Sequence, residues 1–298
     1  MKQQKAVFKT MLTALASSLL LTAGSMTALA AVHTPAAGQI SCYWVDENKG
    51  PGVAYWVDDP AEDSAEASQE SQAAQETQAA QETQASQTSS RVDPSRPMIA
   101  LTFDDGPYAP VGNRIMDCLN KYNGKATFFV VGERAASYPV ELNRMVAEGF
   151  EIGNHTMNHK YLQKQGVEEI RRQVTACNEA VAKVTGVTPT LMRLPGGGKN
   201  STVLANVNMP VILWNIDTND WNKQKQTYAG ITSSVLDHVK DGDIVLMHEL
   251  YTRTADAVEE IVPILAARGY QLVTVSELIA ARGASVSNGT VYYSFPAH

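Results

Sequence analysis

The chain has 298 residues, of which 44% are apolar and 18% are charged, and its net charge is -7 with histidine neutral. This length suffices for one core of roughly 200 residues with additional segments. No basic patch stands out, so we expect no nucleic-acid partner. Cys42, Cys118 and Cys177 match no zinc-finger or CxxC spacing. A disulfide between the last two and a buried thiol in each predicted helix are both open.

The first 30 residues have the pattern of a secretory signal peptide. Three lysines precede an apolar run over residues 11–31, and Ala28-Leu29-Ala30 resembles a cleavage site. We therefore expect a secreted or extracellular protein associated with the cell envelope. The alternative is a retained N-terminal membrane anchor.

Two segments of unusual composition follow the predicted signal peptide. Residues 31–60 contain two Tyr-Trp-Val-Asp phrases, at 43–46 and 55–58, which predict a short glycan-contacting module or a poorly ordered leader. Residues 61–94 are of low complexity, and an Ala-Ala-Gln-Glu-Thr-Gln phrase is repeated in them. Because such a segment buries little apolar surface, it predicts a disordered linker.

Strand-like and helix-like segments alternate over residues 95–281, which we interpret as one domain. Predicted strands cover 98–103, 126–131, 150–153, 190–193, 211–216, 243–248 and 271–274. Predicted helices cover 113–122, 137–148, 166–185, 202–206, 226–240, 255–267 and 276–281. This alternation predicts an α/β domain with a parallel sheet or barrel. The pattern does not place the tail, 282–298, although residues 291–295 in it are strand-like.

Two polar clusters that follow predicted strands have the composition of a metal site. Asp104 and Asp105 end the first strand, either as a metal ligand with a neighbouring base or as a solvated turn. His155 and His159 follow the third strand, and a helical turn would place both imidazoles on one face. Two histidines and one carboxylate form an open site for a divalent cation.

Three further clusters are ambiguous when each is taken alone. Arg193 precedes a glycine-rich turn that contains Gly196, and it could pair with a carboxylate of the site. Asp220 and Trp221 follow the fifth strand and fit a sugar-binding wall or a β-turn with a packed Trp. His248 ends the sixth strand, in a structural role or as a general acid or base.

In combination and order, the five clusters resemble the motifs of the polysaccharide deacetylase family (NodB-homology domain, carbohydrate esterase family 4). The matching motifs are Thr102-Phe103-Asp104-Asp105-Gly106, His155-Thr156-x-x-His159, Arg193-x-Pro195-x-Gly197, Asp217-x-x-Asp220-Trp221 and Leu246-x-His248. The resemblance implies a distorted (β/α) barrel of about seven parallel strands and metal-dependent removal of N-acetyl groups from a polysaccharide. Peptidoglycan is the expected substrate, with chitin oligomers, exopolysaccharide or acetyl-xylan as alternatives. A non-catalytic glycan-binding protein on the same fold is the competing class.

The resemblance also implies a role for each matching residue. Asp105, His155 and His159 would be the metal ligands, with Zn²⁺ as the expected ion and Co²⁺ or Ni²⁺ as alternatives. Asp104 would be the catalytic base, and Arg193 would hold it by an ion pair.

The remaining matches concern the acid and the substrate groove. His248 would be the catalytic acid, oriented by Asp220, and Trp221 would line the groove. Gly196 stands where the family usually has an aromatic residue, so its N–H could face the oxyanion but a side-chain wall is missing. We expect a monomer that associates with the cell wall through its polysaccharide substrate.

Overall fold

The computed structural model describes residues 92–222 and 227–297. The predicted signal peptide, the aromatic leader, Cys42 and nearly all of the linker lie outside these residues. Every helix in the described part of the chain is too short or too polar to cross a membrane.

Strands and helices alternate along the described chain, as the sequence predicts. The strands are β1 (Met98–Gly106), β2 (Thr127–Val130), β3 (Glu151–Asn154), β4 (Val211–Ile212), β5 (Ile216–Asp217), β6 (Asp243–His248), β7 (Gln271–Leu272) and β8 (Val291–Tyr292). The helices are α1 (Ala109–Lys121), α2 (Gly132–Ala135), α3 (Pro139–Ala147), α4 (Val167–Thr185), α5 (Ser201–Leu204), α6 (Tyr228–Leu236), α7 (Thr252–Ala267) and α8 (Val275–Ala281). Short 3₁₀ turns cover Leu162–Lys164 and Pro195–Gly197.

The main sheet is parallel throughout, which confirms the predicted α/β fold. Its strand order is β3-β2-β1-β6-β5, and β7 pairs with the start of β1. Beyond β3, Met192 bridges Asn154 to Val211, and β4 pairs in parallel with β8. The carboxyl ends of these strands therefore lie at one edge, where ligands bind in parallel α/β folds.

Several predicted strands are shorter in the structure than the sequence predicts, and two of these differences lie next to the candidate site. The segment 190–193 contributes only the bridges of Met192, and the segment 211–216 divides into β4 and β5. The Arg193 side chain explains the division, because its Nε and Nη2 donate to the carbonyls of Ile212 (3.0 Å) and Leu213 (3.1 Å). These carbonyls therefore bind a side chain where a longer strand would bind its neighbour.

Strand β1 is buried on both faces and separates two cores. One face packs against α1, α3 and α7 through Ile99, Leu101 and Phe103. The other face begins with Met98 and Ala100, in a core that α8 and the tail complete. Thr102 and Asp104 continue this second face, because side chains alternate along a strand. The same alternation that buries Met98 thus delivers Asp104 to the carboxyl end of the sheet.

The tail completes the second core. Beyond β8, Ser294 forms an antiparallel bridge with Asp243, and the Phe295 N–H donates to the Gly242 carbonyl at 2.8 Å. The Phe295 side chain is buried. Gly242 has a φ of 88°, and a Cβ there would lie 2.2 Å from the Phe295 carbonyl oxygen, so this contact requires glycine.

Cys118 on α1 and Cys177 on α4 are free, buried thiols. The buried-thiol alternative is therefore confirmed, and a disulfide between these two residues is wrong. Burial raises the pKa of Cys118 to about 11 and that of Cys177 to about 12.

Candidate active site

The predicted catalytic and metal-binding residues gather at the carboxyl edge of the sheet. Asp104 on β1 is the register partner of His248 on β6. His155 directly follows β3, whose neighbour β2 pairs with β1. Residues distant in the sequence are thus brought together because their strands are parallel neighbours.

A bulge at the end of β1 turns two adjacent carboxylates towards one site. Neighbouring side chains on a regular strand point to opposite faces. The register shifts between Asp104 and Gly106, and Asp105 has a φ of 69°. As a result, an oxygen of Asp104 lies 3.7 Å from His155 Nε2, and an oxygen of Asp105 lies 3.4 Å from the same atom. Bulges of this kind commonly re-aim side chains beside functional sites.

Asp105, His155 and His159 form a cluster that fits a metal ion. One ligand atom from each residue can be chosen so that all three lie within 4.8 Å of one another. Asp105 Oδ1 lies 3.4 Å from His155 Nε2 and 3.2 Å from His159 Nε2. This oxygen is buried and has no hydrogen-bond partner among the described residues. Two imidazole nitrogens and an unsatisfied carboxylate oxygen are suitable donors for a divalent cation.

The loop from His155 to His159 is irregular, so a helical turn is not what brings the two imidazoles together. Thr156 and His159 have φ values of 68° and 56°, which no regular helix contains. The loop is instead held by Asn154, whose Oδ1 accepts the Thr156 N–H at 2.8 Å. The two imidazoles converge because of this local conformation.

Hydrogen bonding and charge prepare the three residues for a cation. His155 Nδ1 lies 2.9 Å from the Arg193 carbonyl oxygen, to which its N–H can donate, and this leaves Nε2 for a metal. Burial and the charge of His155 lower the pKa of His159. Burial alone would raise the pKa of Asp105, but the close approach of His155 and the charges of the nearby histidines lower it to about 2. A neutral imidazole and an ionised carboxylate are the forms that bind metal.

Arg193 is fully buried and holds Asp104 on the inner face of β1. Its Nη1 donates to Asp104 Oδ1 at 2.8 Å and to Thr102 Oγ1 at 2.7 Å. The guanidinium carbon lies 4.2 Å from the ring centre of Phe129 and 5.6 Å from that of Trp214. With the two carbonyl contacts already described, this geometry fixes the direction of the Asp104 carboxylate.

His248 and Asp220 form the second buried polar pair of the site. Asp220 Oδ1 lies 2.6 Å from His248 Nδ1, and its Oδ2 accepts the His248 N–H and the Thr254 hydroxyl, both at 2.7 Å. Arg253 donates to the Asp220 carbonyl from Nε at 2.8 Å. Burial alone would lower the pKa of His248, but the hydrogen bond and charge of Asp220, with Asp104 and Asp105 nearby, raise it to about 9.

Glu249 is a buried acid that the sequence motifs do not single out. Its N–H donates to the Asp104 carbonyl at 2.9 Å, and its Oε1 accepts the Tyr108 N–H at 2.9 Å. Its Oε2 is buried without a hydrogen-bond partner among the described residues. A Cβ on Gly106 would lie 1.8 Å from this carboxylate, so the turn after β1 packs directly on it. Burial raises the pKa of Glu249 to about 8.

The two predicted substrate residues differ in their surroundings. Trp221 follows the buried Asp220 and is 48% exposed. Gly196 has a φ of 62° in the turn after Arg193. A side chain packs against each of the three glycines of this turn, 196–198, because an added Cβ would lie within 3.1 Å of a side-chain atom. The neighbouring side chains are, in order, Tyr161, Trp214 and Gln163.

Known proteins share this arrangement of sequence and fold. The polysaccharide deacetylase family model matches residues 91–209. A peptidoglycan-N-acetylglucosamine deacetylase of Bacillus cereus is 35% identical over 190 residues, which cover 61% of this chain and 88% of that protein. The chain belongs to the polysaccharide deacetylase family. The family prediction is therefore confirmed.

Two other known proteins are also similar to this chain. Peptidoglycan-N-acetylmuramic acid deacetylase PdaC of Bacillus subtilis is 44% identical over 188 residues, which are 63% of this chain but only 40% of that protein. The structure of PdaC has a TM-score of 0.62 at 42% identity, covering 64% of this chain and 94% of the solved one. An acetyl xylan esterase of Clostridium thermocellum in complex with cobalt has a TM-score of 0.63 at 35% identity, covering 67% of this chain and 99% of its own.

The Arg193→Leu substitution tests the buried ion pair. We expect the free energy of unfolding to fall by about 3–5 kcal/mol, because Asp104 would remain buried without its partner. Urea denaturation followed by circular dichroism measures this loss. Arg114→Leu, which removes exposed ion pairs with Asp256 and Glu259, should cost no more than about 1 kcal/mol. Similar losses for the two variants would contradict the importance of the buried pair.

The Glu249→Gln substitution tests the buried acid. The folded pKa of about 8 lies above the ordinary value of 4.5, so the folded protein binds the extra proton between these pH values. The free energy of unfolding should therefore fall as the pH rises from about 4.5 to about 8. Chemical denaturation at several pH values should show this slope flattened in Glu249→Gln. The exposed control Glu133→Gln should keep the slope, and an unchanged slope in Glu249→Gln would refute the prediction.

Proposed function

We propose that the protein is a metal-dependent hydrolase that removes N-acetyl groups from a cell-envelope polysaccharide, with peptidoglycan as its substrate. The observation that carries this proposal is the placement of Asp104 and His248 as register partners beside the Asp105, His155 and His159 cluster. The names of the two peptidoglycan deacetylases in Bacillus support the substrate.

The proposed cofactor is a divalent cation held by Asp105, His155 and His159. Such an ion would polarise the acetyl carbonyl and lower the pKa of a bound water. We propose Zn²⁺, with Co²⁺ and Ni²⁺ as alternatives that accept the same nitrogen and oxygen donors. The cobalt complex of the related acetyl xylan esterase supports a transition metal.

Asp104 is the proposed catalytic base. The guanidinium of Arg193 holds one oxygen of Asp104 at 2.8 Å, while the other oxygen lies 3.7 Å from His155 Nε2. The second oxygen can accept a proton from the water that attacks the acetyl carbon. Arg193 acts through Asp104 and is therefore a positioning residue.

His248 is the proposed catalytic acid. Because its pKa is raised to about 9, the imidazole carries a proton at neutral pH that it can donate to the departing sugar amine. Asp220 accepts a hydrogen bond from the other ring nitrogen, Nδ1, and so fixes the orientation of the imidazole. We propose that the Gly196 N–H faces the developing oxyanion and that Trp221 lines the groove.

The proposed location is outside the cell, in association with the cell envelope. The basic and apolar pattern of residues 1–30 supports secretion, and a retained N-terminal anchor is the alternative. We further propose a monomer whose partner is its N-acetylated polysaccharide substrate.

Ester deacetylation of xylan is the second candidate, because an acetyl xylan esterase is 35% identical to this chain. The same base, acid and cation would also cleave an acetate ester. A non-catalytic glycan-binding protein is the competing class, and it is disfavoured because every residue to which the family motifs assign a catalytic or metal-binding role is present.

Acetate release by the purified, Zn²⁺-loaded protein tests these functions. Peptidoglycan, chitin oligomers and acetyl-xylan should be offered separately, each with and without a chelator. Acetate from peptidoglycan that a chelator abolishes would support the proposal. Acetate from xylan alone would favour the esterase, and glycan binding without acetate release would favour the non-catalytic class.

Asp104→Asn and His155→Ala should fail for different reasons. Asp104→Asn removes the base but leaves the three proposed ligands, so turnover should fall by about 10²–10⁴-fold while the metal stays bound. His155→Ala should lose both the metal and the activity. Plasma emission spectrometry of the dialysed proteins, with acetate release on the same samples, measures both properties. Normal turnover in Asp104→Asn, or full metal content in His155→Ala, would refute the corresponding role.

Asp220→Asn should change the pH dependence of the reaction. The proposed acid works only when protonated, so the rate falls as the pH rises through the pKa of His248. Without the Asp220 charge that pKa falls, and the alkaline limb of the rate profile should move to lower pH. At pH 8 we expect kcat to fall by about 10²-fold or more. Steady-state profiles should be compared with the exposed control Asp237→Asn, and an unmoved limb would contradict the role of Asp220.

A further inference from the structure

Tyr161 lies beside the proposed metal ligands and remains open to solvent. It follows His159 by two residues, and their ring centres are 6.0 Å apart with an angle of 71° between the ring planes. The residue is 46% exposed. A partly exposed aromatic ring therefore stands beside the proposed metal ligands, and Lys164 Nζ lies 5.4 Å from its centre.

The ring of Tyr161 occupies the space beside Gly196 that a larger side chain would fill. A Cβ on Gly196 would lie 2.6 Å from Tyr161 Cε1 and 3.5 Å from its Cδ1 and Cζ. Gly196 also has a φ of 62°, which disfavours any residue with a side chain. The side-chain wall that is missing at position 196 is thus supplied by another loop.

The residues after Tyr161 anchor the backbone that carries the ring. Leu162 is fully buried in a core with Ile170 and Met192. Gln163 packs against Gly198, where a Cβ would lie 2.1 Å from its Nε2, and its carbonyl accepts a hydrogen bond from Asn200 at 3.3 Å. The backbone that carries Tyr161 is therefore anchored on both its core and its loop side.

A sugar ring is the ligand class that suits this position. Tyrosine offers a rigid amphipathic surface at a low entropy cost, with an apolar face and a hydroxyl. A pyranose has the matching chemistry, because the C–H groups of one face pack on an aromatic ring while its hydroxyls form hydrogen bonds. The closeness of Tyr161 to His159 places that sugar next to the bond that the proposed reaction cleaves.

We propose that Tyr161 is a substrate-binding residue that sets the affinity of the protein for the sugar unit beside the metal-ligand cluster. This assignment rests on the proposed function, since it concerns the glycan that the same site would deacetylate. It adds a residue that none of the five motifs contains.

Binding measurements in a slow-turnover background test the assignment. Calorimetric titration with the pentamer of N-acetylglucosamine should use Zn²⁺-loaded Asp104→Asn protein, alone and combined with Tyr161→Ala, Tyr161→Leu or Tyr161→Phe. We expect Tyr161→Ala and Tyr161→Leu to weaken the affinity by about tenfold, because both lack a flat ring. Tyr161→Phe should keep most of the affinity. The control Tyr122→Ala removes an equally exposed tyrosine (45%) at the end of α1 and should change nothing.

Metal content and melting temperature should be measured on the same samples and should stay unchanged in all Tyr161 variants. Equal affinities of the Asp104→Asn protein with Tyr161 and with Tyr161→Ala would overturn the assignment. It would also be overturned if Tyr161→Ala weakened the affinity but Tyr161→Leu bound as well as the protein with Tyr161. Acetate release by the protein with Asp104 intact is measured separately. Absent acetate release would refute the proposed function, whereas the binding series alone decides the role of Tyr161.

Discussion

A single buried guanidinium connects the parts of the candidate site. The Arg193 side chain fixes the Asp104 carboxylate and binds the carbonyls of Ile212 and Leu213, where the β4–β5 segment leaves the sheet. The Arg193 backbone carbonyl also accepts a hydrogen bond from His155 Nδ1. The proposed base, a proposed metal ligand and the break in a strand therefore depend on one residue, whose buried charge requires all its polar contacts.

The site loops adopt backbone conformations that most residues avoid. Asp105, Thr156, His159 and Asn219 all have positive φ values. Asp105 lies at the bulged end of β1, and the other three lie in the loops after β3 and β5. Single residues of this kind cost of order 1–3 kcal/mol and persist where the surrounding structure holds them. The packed sheet below the site supplies that support. Its stability offsets the backbone strain of the loops that direct the polar side chains into the site.

Local periodicity predicts much of this fold because several elements are decided locally. Helix α4 has apolar residues on one face and ends at Gly186, whose φ of 73° provides the left-handed cap. The sequence pattern predicts one strand over 211–216 and misses its division, because the pairing there depends on Arg193, which no local pattern reveals. The irregular path from His155 to His159 likewise depends on the side chain of Asn154.

Some residues of the proposed site can be predicted from the sequence, whereas others are identified only by their contacts in the structure. The five motifs are recognisable because each lies at or after the end of an apolar segment. The first of them contains Thr102, whose hydroxyl Arg193 contacts in the structure. Thr254 and Glu249 support Asp220 and the β1 turn from elsewhere in the chain, so only the three-dimensional contacts identify them. The packing of Tyr161 on Gly196 likewise joins two loops that are separate in the sequence.

The position of the tail has a consequence for the solubility of shortened chains. Val211 and Ile212 of β4 pair with β8 on the side away from Met192. A chain that stopped after α8 would leave this apolar strand with an open edge and would uncover the core around Phe295. Open edges of this kind recruit strands from other molecules. Residues 291–295 therefore cover an edge through which the protein could self-associate, and any shortened form of the protein should retain them.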